Sequence, residues 1–110
     1  MELTPLHLRN LERIRERGFE LVSFPLFASN IGVSKLGCAA LLRPAGQGRL
    51  ELAAAPAYLV EGNLSVLVER GGEQWFVWKS QALRATQERL ERLRRFEQEL
   101  GEWIERQQPV

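Results

Sequence analysis

Aspartate is absent from this sequence of 110 residues, and cysteine and histidine each occur once. Magnesium sites, kinase-type bases and Ser/His/Asp triads usually draw on aspartate, so its absence argues against those chemistries. The single thiol, Cys38, cannot form an internal disulfide, and together with the single imidazole, His7, it cannot complete a four-ligand zinc site. We therefore predict no catalytic residue set, no metal site and no cofactor, and we favour a non-enzymatic role.

Long apolar runs are also missing. The longest, around residues 38–42 and 64–68, fall far short of the ~20 residues that a spanning helix needs. Met1 is followed directly by Glu2 and a helix-start signal, which is not the pattern of a secretory signal peptide. We expect a cytoplasmic protein that makes no membrane contact, and a free thiol suits that reducing compartment.

The sequence has no excess of positive or negative charge. Fifteen basic and fourteen acidic side chains leave a net charge of +1, which gives no long-range attraction to nucleic acid or anionic lipid. The apolar fraction of 45% and the charged fraction of 26% are those of an average globular protein. A chain of this length buries roughly 65% of its unfolded surface, so we predict a single domain over residues 1–110.

Two amphipathic helices are predicted at the ends of the chain. Thr4 is a good N-cap before Pro5, and the first helix is expected to run to about Arg17. The second follows the N-cap Thr86 over residues 87–107. The predicted apolar stripe of the first helix is Leu8, Leu11 and Ile14. That of the second is Leu90, Leu93, Phe96, Leu100, Trp103 and Ile104.

Strands are predicted between the helices at residues 19–24, 38–43, 49–54, 64–70 and 73–79, with residues 58–60 uncertain. Gly71 and Gly72 form the two-residue loop of a type I′ hairpin. In that hairpin Val68 is expected opposite Trp75, and Leu67 opposite Phe76. The fold class predicted is α+β, an antiparallel sheet of about five strands bracketed by an N-terminal and a longer C-terminal amphipathic helix.

The hairpin carries large apolar residues on both faces, whereas a sheet covered by helices on one side needs only one apolar face. The second helix would also span ~31 Å, longer than a five-strand sheet is wide at ~24 Å, so its end is expected to overhang. The leading hypothesis is therefore a non-enzymatic interaction or ligand-binding module that forms a homodimer or binds a protein partner. The interface residues predicted are Leu67, Phe76, Trp78, Trp103 and Ile104.

Two alternatives stay open. Residues 28–37 show no clear period and are predicted to be an irregular loop. A small enzyme or small-molecule binder would place its pocket between that loop and the sheet. The pocket residues predicted are Ser29, Asn30, Lys35, Tyr58 and Glu61.

The other alternative is nucleic-acid binding through the arginines at the start of the last helix. These residues are Arg84, Arg89, Arg92, Arg94 and Arg95. Interleaved glutamates and the near-zero net charge argue against it. His7, in the first turn of the first helix, is expected at the surface, and Cys38 is expected to be a small buried apolar residue.

Overall fold

The computed structural model describes residues 2–107, which contain two α-helices, two short 3₁₀ helices and two antiparallel sheets. The elements are, in order, α1 (Pro5–Glu16), β1 (Glu20–Val22), β2 (Ile31–Lys35), β3 (Cys38–Pro44), β4 (Leu50–Leu52), β5 (Ala57–Val60), β6 (Asn63–Leu64), β7 (Val66–Arg70), β8 (Glu73–Trp78), β9 (Gln81–Arg84) and α2 (Gln87–Glu105). The first sheet has the order β1-β2-β3-β5-β6, with β4 also paired to β3, and the second has the order β7-β8-β9. The predicted α+β class, with a short first and a long last helix, is confirmed.

Helix α1 begins as predicted but is turned differently about its axis. The Thr4 hydroxyl accepts a hydrogen bond from the His7 amide at 3.3 Å, and His7 Nδ1 accepts one from the Thr4 amide at 3.0 Å. This is a capping box in which histidine replaces the usual glutamate. Leu8, predicted in the buried stripe, is 51% exposed. The buried face consists of His7, Asn10, Leu11 and Ile14.

Polar contacts explain why α1 is rotated about its axis relative to the prediction. His7 Nε2 lies 2.8 Å from the Ala45 carbonyl oxygen, and Asn10 Nδ2 donates to the Gly48 carbonyl at 2.8 Å. Both ring nitrogens of His7 are satisfied when Nε2 carries the proton. The prediction of a surface His7 is wrong, since it is only 5% exposed and joins α1 to the turn before β4.

The prediction that residues 28–37 form an irregular loop is also wrong. Half of that segment is β2, which pairs with β1 on one side and β3 on the other. Val33 is fully buried there, between Leu21 and Ala40. Glycine and serine within β2 remove the hydrophobic alternation, and its two neighbouring strands supply the order that the local pattern lacks.

The β7–β8 hairpin has the predicted register. Leu67 lies opposite Phe76 and Val68 opposite Trp75. Gly71 and Gly72 have φ values of +60° and +81°, as a type I′ turn requires. The strand before the turn begins two residues later than predicted, and β9, which was not predicted, follows β8 through a second tight turn.

Helix α2 packs against β3 and β5 of the first sheet. Its residues Phe96, Leu100 and Trp103 are buried in the core. Trp103 is only 7% exposed, so the predicted overhang at the helix end is wrong. Neither α1 nor α2 has the uninterrupted apolar length that a bilayer-spanning helix needs.

The end of α2 is fixed to β4 by one buried side chain. Gln107 Oε1 accepts from the Leu50 amide at 2.7 Å, and its Nε2 donates to the Leu50 carbonyl at 2.6 Å. Arg49 donates to the carbonyls of Ile104 and Gln107 beside it. The amide of Gln107 thereby acts as a short substitute for a neighbouring strand.

Candidate interaction surface

The three-stranded sheet β7-β8-β9 turns one face inward. Phe76 is 1% exposed, and its ring stacks on Tyr58 with the centroids 4.8 Å apart. Trp78 and Leu83 are half-buried and pack against the same core. The hairpin face predicted to meet a partner is therefore the face that covers the core, and Phe76 is corrected from an interface residue to a core residue.

The opposite face of this sheet is the outer face, formed by Val66, Val68, Trp75 and Val77. Strand alternation places these side chains on the side away from Phe76. Val66 is 65% exposed, and the other three are half-buried without joining the core cluster. The sheet thus presents an apolar surface to solvent on the side that the sequence had not singled out.

Strand β7 is also an open edge of this sheet. In a two-residue hairpin the residue pair next to the loop is hydrogen-bonded, and so is every second pair beyond it. In this hairpin those pairs are Arg70 with Glu73, Val68 with Trp75 and Val66 with Val77. The Gln74 carbonyl accepts from the Ala85 amide at 2.9 Å, on the β9 side, in agreement with this alternation. The amides and carbonyls of Leu67 and Glu69 therefore point away from β8, toward the edge.

Only the start of that edge is covered. The Ser65 amide donates to the Tyr58 carbonyl at 3.3 Å, and the Ser65 hydroxyl donates to the same oxygen at 2.6 Å. These bonds join the two sheets at β5. From Leu67 onward, the described part of the chain provides no strand beside β7.

A cleft of about 400 Å³ lies between β7 and α2. We call it the β7 cleft, and its lining residues are Leu67, Gln87, Leu90, Leu93, Arg94 and Glu97. Leu67 is 42% exposed, and Leu90 and Leu93 are half-buried. Within residues 2–107, Arg94 forms no ion pair. The cleft therefore combines three leucines with one arginine that has no ion pair in this range and one glutamate.

The remaining predicted interface residues are divided between surface and core. Leu67 lies in the β7 cleft, as described above. Trp78 and Ile104 are half-buried against the core, and Trp103 is buried within it. Arg94 and Glu69 were not predicted as interface residues. The sequence carried no signal for Arg94, because Glu91 and Glu97 lie three residues before and after it on its helix, where ion pairs are also possible.

The predicted pocket residues do not converge. Lys35 donates to Glu99 at 2.9 Å and to the Arg17 carbonyl at 2.8 Å. Ser29 and Asn30 precede the other end of β2, while Glu61 lies in the turn after β5, beyond the Lys35 end. Tyr58 is buried under Phe76. A larger depression of about 950 Å³ lies beside α1 and β1, and it contains none of the five predicted pocket residues.

The thiol of Cys38 is fully buried in β3. Burial, with a smaller contribution from the negative charge of Glu97, raises its pKa from 9.0 to about 11. Because the thiolate is the reactive form, this cysteine is a packing residue rather than a nucleophile. In the described part of the chain, no three histidine, cysteine or glutamate side chains are grouped as a metal site requires.

Most of the arginines at the start of α2 form ion pairs or hydrogen bonds within the chain. Arg92 pairs with Glu88 at 2.6 Å, Arg95 with Glu99 at 3.3 Å, and Arg84 with Glu73. Arg89 donates to the Arg84 carbonyl at 2.8 Å. Three of these five arginines are thus paired with glutamates, so the segment is not the continuous basic surface that phosphate binding needs.

No family model, curated protein or solved structure matches this chain. Function therefore has to be argued from the surfaces described above.

Proposed function

We propose that this protein is a non-enzymatic interaction module that binds an extended segment of a polypeptide chain along β7. The observation that carries the proposal is the coincidence of an open strand edge with an apolar cleft. An added strand would bond to the free groups of Leu67 and Glu69, and its inward side chains would enter the β7 cleft.

The edge has few of the features that usually block strand addition. Proteins protect exposed edges with proline, bulges, charged side chains or a covering loop. The β7–β8 ladder runs without a bulge from Val66 to Arg70, and its charged residues stand only at the end next to the turn. Three consecutive apolar residues, 66–68, are left beside the open backbone groups.

The most distinctive polar side chains hold the fold together, which supports a non-enzymatic role. His7 and Asn10 join α1 to the turn before β4, Gln107 holds α2 to β4, and Lys35 joins β2 to α2. None of these four lines the β7 cleft. We place the protein in the cytoplasm, because its single thiol is suited to a reducing compartment.

Two proline variants test the proposal. The amides of Glu69 and Ala82 both point outward, one from the β7 edge and the other from the opposite β9 edge. Proline at either position removes an outward donor without removing a ladder bond. Peptides selected by display against the wild type should bind Ala82→Pro equally and Glu69→Pro at least tenfold more weakly.

The comparison is made on variants whose far-UV circular dichroism and melting curves match those of the wild type. Alanine at position 69 is the second control, because it removes the side chain and keeps the amide. The proposal is wrong if no chain, whether a selected peptide or a second copy of the protein, distinguishes Glu69→Pro from Ala82→Pro.

A further inference from the structure

We infer that the chain that pairs with β7 is β7 of a second copy, antiparallel to it and related by a two-fold axis through Val68. This inference rests on the proposed function and names the occupant of the same edge. The resulting dimer has one continuous six-stranded sheet in the order β9-β8-β7-β7-β8-β9. Both copies of α2 lie on the same side of it, because a two-fold axis perpendicular to a sheet preserves its faces.

The inward and outer faces of the sheet restrict which residues of the two β7 strands can lie opposite each other. Directly opposite residues in an antiparallel pair lie on the same face, so Leu67 must meet an inward residue of the second copy. Placing Leu67 opposite Glu69 of the second copy uses the outward amides and carbonyls of both residues in both copies, which gives four hydrogen bonds. Val68 then faces Val68 of the second copy across the axis.

The neighbouring registers are disfavoured by groups already described. Leu67 opposite Leu67 would require the amide of Ser65, which is already bonded to the Tyr58 carbonyl. Glu69 opposite Glu69 would bring two like charges together. The register centred on Val68 forms four hydrogen bonds without the Ser65 amide, whereas Leu67 opposite Leu67 would form only two, and it does not place the two Glu69 side chains directly opposite each other.

Charge complementarity favours a second copy over an unrelated segment. In this register Glu69 of the second copy lies beside Leu67 and enters the β7 cleft, which is lined by one arginine, Arg94, and one glutamate, Glu97. Within residues 2–107 Arg94 forms no ion pair, so its guanidinium can pair with the incoming carboxylate. On the outer face, Arg70 of the second copy lies opposite Val66, which is 65% exposed. The aliphatic part of an arginine side chain covers such a residue while its guanidinium stays in water.

The turn of the second copy also fits. Its Gly71 is opposite Ser65, where β7 joins β5 through the bond from Ser65 to Tyr58. A residue without a side chain approaches that junction without a clash. Two short strands and two clefts form a small interface, so the expected dissociation constant is on the order of micromolar.

Sedimentation velocity over a concentration series is the first test. The wild type and Ala82→Pro should change from monomer to dimer across the micromolar range, and Glu69→Pro should remain monomeric. Glu69→Arg, which needs no backbone adjustment, should weaken the dimer about tenfold, as should Arg94→Glu. The double variant Glu69→Arg/Arg94→Glu should restore most of the loss, because the ion pair is re-formed with its charges exchanged.

Oxidative crosslinking tests the register. Val68 is in a non-hydrogen-bonded pair on the two-fold axis, where Cα atoms are about 4.5 Å apart, within the range of a disulfide. Val68→Cys should form a covalent dimer under mild oxidation. Val66→Cys, opposite Arg70 of the second copy, should not. Cys38 does not interfere, because its side chain is fully buried.

Two results would overturn the inference. One is a wild type that remains monomeric at high micromolar concentration, and the other is efficient crosslinking of Val66→Cys with none of Val68→Cys. The proposed function survives either result if selected peptides bind the wild type and Ala82→Pro but not Glu69→Pro. It fails together with the inference if the Glu69→Pro variant behaves as the wild type in both assays.

Discussion

Replacing Gln107 by alanine should be one of the most destabilising polar substitutions in this protein. The Gln107 side chain bonds to both backbone groups of Leu50, a residue that is 1% exposed. In the variant the Leu50 amide and carbonyl remain buried and lose their partners. An unsatisfied buried group costs about 1–3 kcal/mol, so the expected loss for the two groups is about 2–6 kcal/mol. A domain of this kind has roughly 5–15 kcal/mol of stability in total.

Urea denaturation followed by circular dichroism measures this loss. The midpoint should fall while the slope of free energy against urea stays constant, because the change acts on the folded state. Gln98→Ala is the matched control, since Gln98 is exposed on α2, the helix that precedes Gln107, and it should change stability by less than about 0.5 kcal/mol. A Gln107→Ala variant within the same margin would refute the argument that this amide replaces a strand.

A second variant separates the two hydrogen bonds. Gln107→Glu keeps an acceptor for the Leu50 amide but places a carboxylate oxygen against the Leu50 and Ile104 carbonyls, where Nε2 now donates. At neutral pH it should be destabilised at least as much as the alanine variant. Protonation of the new carboxyl at low pH restores one donor, so part of its deficit should disappear on acidification.

Three further predictions concern single groups. Burial raises the pKa of Cys38 to about 11, so above about pH 9 the folded state keeps a proton that the unfolded state loses. The free energy of unfolding, measured by urea titration, should therefore fall between about pH 9 and 11. The Cys38→Ala variant should lack this pH dependence. The hydrogen bond from Lys35 is the main cause that lowers the pKa of Glu99. The carboxylate therefore stabilises the folded state at neutral pH, and this stabilisation is lost as the pH falls through the lowered pKa. The difference in unfolding free energy between the wild type and Glu99→Gln should shrink in acid. A Cβ at Gly48, where φ is +72°, would lie 2.2 Å from Leu6 Cβ. Gly48→Ala should therefore lower the free energy of unfolding by about 2–4 kcal/mol, measured by thermal denaturation. Gly46→Ala is the control and should change it little, because nothing lies within 4 Å of a Cβ at that position.

Local signals in the sequence were sufficient for the helix starts and for one hairpin. Thr4 and Thr86 cap α1 and α2 because their hydroxyl groups bond to amides three residues later. The register of β7 and β8 follows from Gly71 and Gly72, because a two-residue turn fixes which residues are opposite. These features depend on neighbours within a few residues of one another.

Long-range contacts decided the parts that were predicted wrongly. Strand β2 is ordered by β1 and β3, since its own sequence has no alternation. His7 is buried because the turn before β4 offers it a carbonyl 38 residues away. Trp103 is buried because α2 ends against α1 and β4 instead of beyond the sheet.

The candidate site shows the same division. The sequence by itself established that the β7–β8 hairpin has two apolar faces, because strand periodicity separates alternate residues. It could not establish which face is inward, because that depends on the side on which α2 packs. Likewise, the free backbone groups of Leu67 and Glu69 exist only because no other strand of the described chain lies beside β7. An edge is a property of the whole sheet, and only the tertiary structure reveals it.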